Sequence, residues 1–302
     1  MPVYRIESPV LLITCCIFGI LPLAACDNDA SWNTVELLQP DAMHVAARSE
    51  AKRGRAHPAA PMERIPYGQD GAEYELTFSE EFDDYDSRIW NDHIWYEAPN
   101  RTRNYAVENG LLKIWPERDA SGNFFNRTID TDGKFSQTYG YFEMEAKLPR
   151  GKGTWPAFWL FAHHGKRRPE IDIMEAYAGG APPWGFKDGD GVVRPRAYGV
   201  TVWHDKGHEA GRRQYDTRSD LSARFHKYAM KWEPNRQTFY FDGKTIMTID
   251  VSMSEPMYLL LDLWFGSDSG KPDDSTPQGK ANAYQVNYVR AWQFRLVPRK
   301  EE

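Results

Sequence analysis

The chain of 302 residues has only three cysteines, Cys15, Cys16 and Cys26, all within its first 26 positions. From Asp27 onward there is no thiol. That excludes disulfides, a cysteine nucleophile and a thiolate metal cluster from the body of the protein. Phosphate-cradling glycine loops and zinc-ligand spacings are also missing, so no metal is assigned. Positive charge is scarce: 37 Lys and Arg against 43 Asp and Glu leave a net charge of −6. No nucleic-acid partner is expected from that balance. The apolar run from Val10 to Ala25 is shorter than the roughly 20 residues a membrane-spanning helix needs. No internal repeat is present.

That run reads instead as a targeting segment. Arg5 supplies a short positive region, and the run ends in Leu23-Ala24-Ala25-Cys26. The ending resembles a bacterial lipoprotein cleavage box; an ordinary secretory signal is the alternative. Residues 1–25 are then a signal peptide, and Cys26 carries the lipid as the mature N-terminus. The expected location is the bacterial cell envelope, periplasmic or surface-exposed, with the membrane as a partner through the anchor. Residues 26–68 lack sustained periodicity and include His57-Pro58-Ala59-Ala60-Pro61, the composition of a tether. Residues 69–298 remain as one domain, large enough to be stable without disulfides.

Within that domain the patterns are those of strands. Tyr139 to Leu148 alternates strongly. Thr238-Phe239-Tyr240-Phe241 and Lys244-Thr245-Ile246 flank Asp242-Gly243, a strong hairpin cue. Met257 to Trp264 and Val286 to Phe294 are further candidates. Many short strands at regular spacing predict an all-β, two-sheet β-sandwich. The Gly-, Pro- and Asp-rich stretch 179–197 reads as a long loop.

The stretch with chemistry is Pro169-Glu170-Ile171-Asp172-Ile173-Met174-Glu175. Alternating carboxylates and apolar residues form a strand pattern. Glu170 and Asp172 share a face by parity, and Glu175 joins them only if one residue is taken up in a β-bulge. A helix, at about 100° per residue, would turn Glu170 away from the other two. With the bulge, the glutamates lie roughly 13 Å apart along the backbone. Inward-leaning side chains close this to about 5–6 Å between carboxyls, the separation used in retaining glycoside cleavage. Crowded like charges predict that at least one carboxyl keeps its proton near neutral pH. A solvated acidic strand face is the bland alternative.

The upstream segment Trp155-Pro156-Ala157-Phe158-Trp159 and the trio together resemble the active-site signature of glycoside hydrolase family 16, in its bulged Glu-x-Asp-x-x-Glu form. The resemblance covers roughly residues 70–297 and includes the opening Ser79-Glu80-Glu81-Phe82-Asp83. It implies a jelly roll whose concave sheet forms a glycan cleft. It also implies that Glu170 is the nucleophile, Glu175 the acid/base and Asp172 their electrostatic support. Trp155 and Trp159 would line the subsites beside the scissile bond. Either Trp203 or His204 takes a further cleft position, Arg103 and Asn104 fall where relatives contact sugar, and Trp264 adds stacking.

The implied activity is a retaining endo-β-glycanase on a polysaccharide, a β-1,3 or mixed β-1,3/1,4 glucan, with a bacterial exopolysaccharide as one candidate. A galactan is the alternative substrate, and a catalytically silent glycan-binding lipoprotein the alternative class; a binder has no need of all three carboxylates. A monomer without cofactor is expected. Relatives often hold a structural Ca²⁺ through a carboxylate in the last strand. Here Asn287 stands at that position, a departure that removes a charge such a site wants and leaves calcium open.

The anchor has a direct test. Wild-type protein is expected to partition with membranes, and Cys26→Ser to remain unprocessed or soluble. A wholly soluble wild type with no lipid on Cys26, seen by fractionation and mass spectrometry, would contradict the lipoprotein reading.

Overall fold

The computed structural model describes residues 64–295. The signal segment, Cys26 and all but the last residues of the tether lie outside the described residues.

Strands dominate, joined by a few single-turn 3-10 segments. In chain order they are β1 (Tyr74–Glu80), β2 (Tyr105–Val107), β3 (Leu112–Ile114), β4 (Arg127–Asp130), β5 (Gly140–Lys147), β6 (Thr154–Phe161), β7 (Glu170–Glu175) and β8 (Gly185–Lys187). Then follow β9 (Val193–Pro195), β10 (Ala197–Asp205), β11 (His208–Asp216), β12 (His226–Glu233), β13 (Arg236–Phe241), β14 (Lys244–Ile249), β15 (Tyr258–Phe265) and β16 (Tyr284–Phe294).

Two antiparallel sheets carry the fold. The larger runs β14-β13-β12-β5-β16-β3-β2, with β1 also paired to β16. The smaller runs β11-β10-β7-β6-β15-β4. This is the β-sandwich that the strand spacing predicted. The predicted hairpin is there: β13 and β14 meet through Asp242 (φ 46) and Gly243 (φ 78), the left-handed pair that a two-residue turn matching strand twist requires.

Alternation divides β6, β7, β10 and β15 of the smaller sheet between core and cleft. Phe158 and Leu160 of β6, Ile171 of β7, Val200 and Val202 of β10, and Leu259, Leu261 and Leu263 of β15 all enter the shared core. Their neighbours Trp155, Trp159, Glu170, Asp172, Thr201, Trp203, Asp262 and Trp264 face a cleft on the opposite side. Burying the apolar set, at about 25 cal/mol per Å² of apolar surface, fixes which face each polar neighbour must take.

The 179–197 stretch, predicted as a loop, contains the small hairpin of β8 and β9. The edge strand β11 gave no sequence signal. Its residues His208-Glu209-Ala210-Gly211-Arg212-Arg213-Gln214-Tyr215-Asp216 are mostly half-buried or exposed, so no apolar alternation marks them.

Gly140 opens β5, the strand held between β12 and β16. Its φ is 109°, and a Cβ there would sit 1.9 Å from the carbonyl oxygen of Trp292. Gly140→Ala is therefore expected to cost roughly 2–4 kcal/mol, from strain and overpacking together. Gly133→Ala, whose Cβ would meet nothing within 4 Å, should cost about 1 kcal/mol from its backbone angle alone. Urea denaturation of the two variants checks the ranking.

Candidate active site

The site is built on β7. Against β6, Asp172 pairs with Trp159 and Glu175 with Ala157, so two residues of β6 face three of β7. Against β10, Asp172 pairs with Thr201 and Glu175 with Gly199, again two steps against three. The extra residue is the β-bulge that parity demanded. It falls at Ile173 and Met174, and both side chains go into the core. Core packing therefore absorbs the odd residue, and Glu175 returns to the face of Glu170 and Asp172.

Those three carboxyls line one cleft of about 410 Å³. Burial raises the pKa of each. Glu170 is pushed from 4.5 to about 7, by burial and then by the charge of Glu175. Asp172, only 6% exposed, is raised well above its ordinary value by burial and by both glutamates, with the Trp203 indole opposing. Glu175 is raised by burial, while the Tyr177 hydroxyl, the Trp155 indole and the charge of Arg212 pull it back. Trp155 Nε1 donates to Glu175 Oε1 at 3.0 Å.

The aromatic walls are held by polar anchors. Trp159 Nε1 donates to Asp262 Oδ2 at 2.9 Å, and Trp264 Nε1 to Thr128 Oγ1 at 3.0 Å. Thr128 lies beside Asp262 and favours its charged form. Asp262 is buried on the cleft floor and its other oxygen has no protein partner among the described residues. Trp155 meets Trp264 edge-on at 5.7 Å and lies 5.5 Å from Tyr177. Trp184, in the turn before β8, packs on Tyr177 at 4.7 Å. The 179–197 segment thus buttresses a residue that touches Glu175.

Several sequence-predicted residues fall in this cleft: Glu170, Asp172, Glu175, Trp155, Trp159, Trp203 and Trp264. Three do not. His204 follows Trp203 on a strand and so faces the other way; its Nδ1 is buried without a partner among the described residues. The open choice at that position resolves to Trp203. Asn104 is fully buried, donating to the Trp115 carbonyl and accepting from Arg127 at 2.7 Å. Arg103 turns outward over the Tyr105 ring at 4.8 Å. Both precede β2, which belongs to the larger sheet, and neither lines the cleft.

Tyr96, Tyr177, Thr201, Arg212 and Asp262 line it unforeseen. Only Asp262 carried a signal, as an acid in an otherwise apolar strand.

The calcium question turns on Asn287. Its amide donates to Glu145, whose other carboxylate oxygen takes the Lys227 ammonium. A carboxylate already neutralised by lysine, beside an amide, does not fit a hard dication. Elsewhere, Asp132, His163 and His164 bring donor atoms within 4.8 Å of one another. Sequence spacing did not suggest that group; His163 lies 3.3 Å from the Tyr258 hydroxyl and 3.5 Å from Asp132.

Comparison with known proteins agrees with this architecture. Residues 92–290 match the profile of glycosyl hydrolases family 16. Endo-1,3-1,4-beta-glycanase EglC of Rhizobium meliloti is 30% identical over 218 residues, covering 68% of this chain and 43% of that protein. Endo-1,3-1,4-beta-glycanase ExsH of the same organism is 28% identical, covering 67% and 42%. The chain thus spans less than half the length of these two relatives. The laminarinase catalytic domain of Thermotoga maritima superposes with a TM-score of 0.59 at 25% identity, over 74% of this chain and 100% of that one.

The raised pKa of Glu170 predicts how stability depends on pH. Between about 4.5 and 7 the folded chain holds a proton that the unfolded chain has released, so stability falls as pH rises through that window. Glu170→Gln removes the penalty. The variant is expected to exceed wild type by at most about 3 kcal/mol at pH 8, with the gap closing toward pH 4.5. Urea unfolding across that range measures it; a wild type gaining on the variant as pH rises would contradict the burial argument.

Proposed function

The chain belongs to glycosyl hydrolase family 16, and we propose that it is a retaining endo-β-glucanase acting on a β-1,3 or mixed β-1,3/1,4-linked glucan. The observation that carries this reading is the carboxylate trio, buried on one face of a bulged strand under an aromatic cleft. Aromatic walls suit the apolar C–H faces of sugar rings. The glycanase and laminarinase names of the similar proteins support the substrate class.

The roles are those the family pattern of the trio implies, and the raised pKa values keep protons in the site for them. The trio titrates as a unit, and its burial and mutual repulsion limit how much negative charge it holds at neutral pH. Asp172, the most deeply enclosed, keeps a proton and offers it toward Glu170. Ionised Glu170 attacks the anomeric carbon. Glu175 gives its proton to the departing glycosidic oxygen, and a glycosyl ester on Glu170 results. Glu175, now a carboxylate, takes a proton from water as the water oxygen attacks the same carbon and Glu170 is released. The lateral neighbours of Glu175 are Ala157 and Gly199, which leave room above it for the leaving sugar and then for water. No metal or cofactor enters these steps.

A silent glycan-binding role is disfavoured by the same trio. Three buried carboxyls with raised pKa values destabilise the fold at neutral pH, a cost that binding alone does not need. Placement in the bacterial envelope through lipid on Cys26 completes the proposal, with the enzyme acting as a monomer.

Chemical rescue tests the roles. With an activated aryl β-glycoside and azide, Glu170→Ala is expected to give the α-glycosyl azide, since azide enters the vacated side once. Glu175→Ala is expected to give the β-azide, since the ester forms but water lacks its base. Proton NMR of the products reads the anomer. Reversed products would exchange the two roles, and an inverted sugar from unmutated enzyme would overturn the mechanism.

A further inference from the structure

The cleft continues past Glu170 into a second bay of about 460 Å³, walled by Trp95, Phe161 and Trp203. Two cations open into it, Arg168 and Lys206, and among the described residues Glu170 is the only carboxylate on its lining. Arg168 is half-buried and its guanidinium lies 5.9 Å from the Trp95 ring. Its neighbour Arg167 is paired with Glu255 at 3.4 Å. Among the described residues no carboxylate comes within 4.0 Å of the charged groups of Arg168 or Lys206. In a chain of net charge −6, two unpaired cations on one aromatic-walled bay need a reason.

The backbone holds them there deliberately placed. Arg168 has φ 52 and stands directly before Pro169, a conformation disfavoured for a residue with a side chain and again by the following proline ring. Hydrogen bonds over-determine it: Ala162 N–H donates to the Pro169 carbonyl at 3.1 Å, and Lys206 N–H to the Arg167 carbonyl at 2.7 Å. The second bond ties the β6–β7 loop to the β10–β11 turn, so the backbones that carry the two cations are held together at one bay. Trp95, 47% exposed, gives the bay a stacking platform. A neutral glucan needs the platform and has no use for the charges. A guanidinium fork beside an ammonium matches a carboxylate.

We propose that this bay is a subsite for a glucan sugar bearing a carboxylate substituent, with the ring on Trp95 and the carboxylate between Arg168 and Lys206. It rests on the reading of the cleft as a glucanase site, and it makes the preferred substrate an acidic, decorated β-glucan.

The test compares a mixed-linkage β-glucan with the same polymer lightly carboxymethylated, at low salt, using the full chain and the Arg168→Gln/Lys206→Gln variant. Wild type is expected to favour the carboxymethylated polymer in kcat/KM, and the variant to lower that ratio by at least about tenfold, chiefly through KM. Gel electrophoresis through each polymer gives binding without turnover, and the variant should lose its extra retardation in the acidic gel. Equal losses on both polymers, or an unchanged ratio, would overturn the subsite. Charge-dependent retardation with neither polymer cut would uphold the subsite and sink the hydrolase reading. Cleavage of both, with no charge preference in rate or retardation, would do the reverse.

Discussion

The one-residue bulge in β7 is the constraint on which the site depends. Strand parity alone would send Glu175 into the core with Ile171. The sheet neighbours on both sides count two residues where β7 counts three, so the pairing survives and the face changes hands. The core absorbs Ile173 and Met174 in succession. The return of both glutamates to one face is thus enforced by hydrophobic packing on the opposite face of the same strand.

The electrostatics follow from that placement. Bringing three carboxyls onto one buried face raises all of their pKa values, which keeps protons in the site at a pH where free carboxyls have lost them. Their surroundings then differentiate them. Glu175 has an indole and a phenol hydroxyl favouring its charge, whereas Glu170 has no such partner among the described residues and feels Glu175 instead. A fourth buried acid, Asp262, has a mechanical part: it pins Trp159, as Thr128 pins Trp264. The aromatic walls are positioned by hydrogen bonds as well as by packing, so their ring planes are set before any sugar arrives.

The two ends of the cleft differ in character. Near Glu175 the lining is Trp155, Tyr177 and Trp264, braced from behind by Trp184 of the segment before β8. Near Glu170 the wall is Trp95 and Phe161, with Arg168 and Lys206 beside them. Each end combines residues of β6 or β15 (Trp155, Phe161, Trp264) with residues outside the strands (Tyr177, Trp184, Trp95), so connecting segments shape a cleft whose floor is the sheet.

The sequence by itself determined the elements whose signals are local. Alternation specified most of the long strands, Asp242-Gly243 specified a hairpin, and the odd spacing of Glu170 and Glu175 required a bulge if the two were to share a face. It also separated Glu170 and Asp172 from the core, because parity is a property of the chain. Contacts between distant segments were decided by tertiary structure alone. Whether Trp203 or His204 meets the cleft depends on the register of β10 against β7. Asn104 and Arg103 looked like sugar contacts, yet β2 joins the other sheet. Strand β11 is polar because it is an edge, so its Arg212 reaches the cleft with no pattern to announce it. The bay beside Glu170 exists only because a hydrogen bond joins two loops some 40 residues apart, and nothing in the local pattern of either loop encodes that meeting.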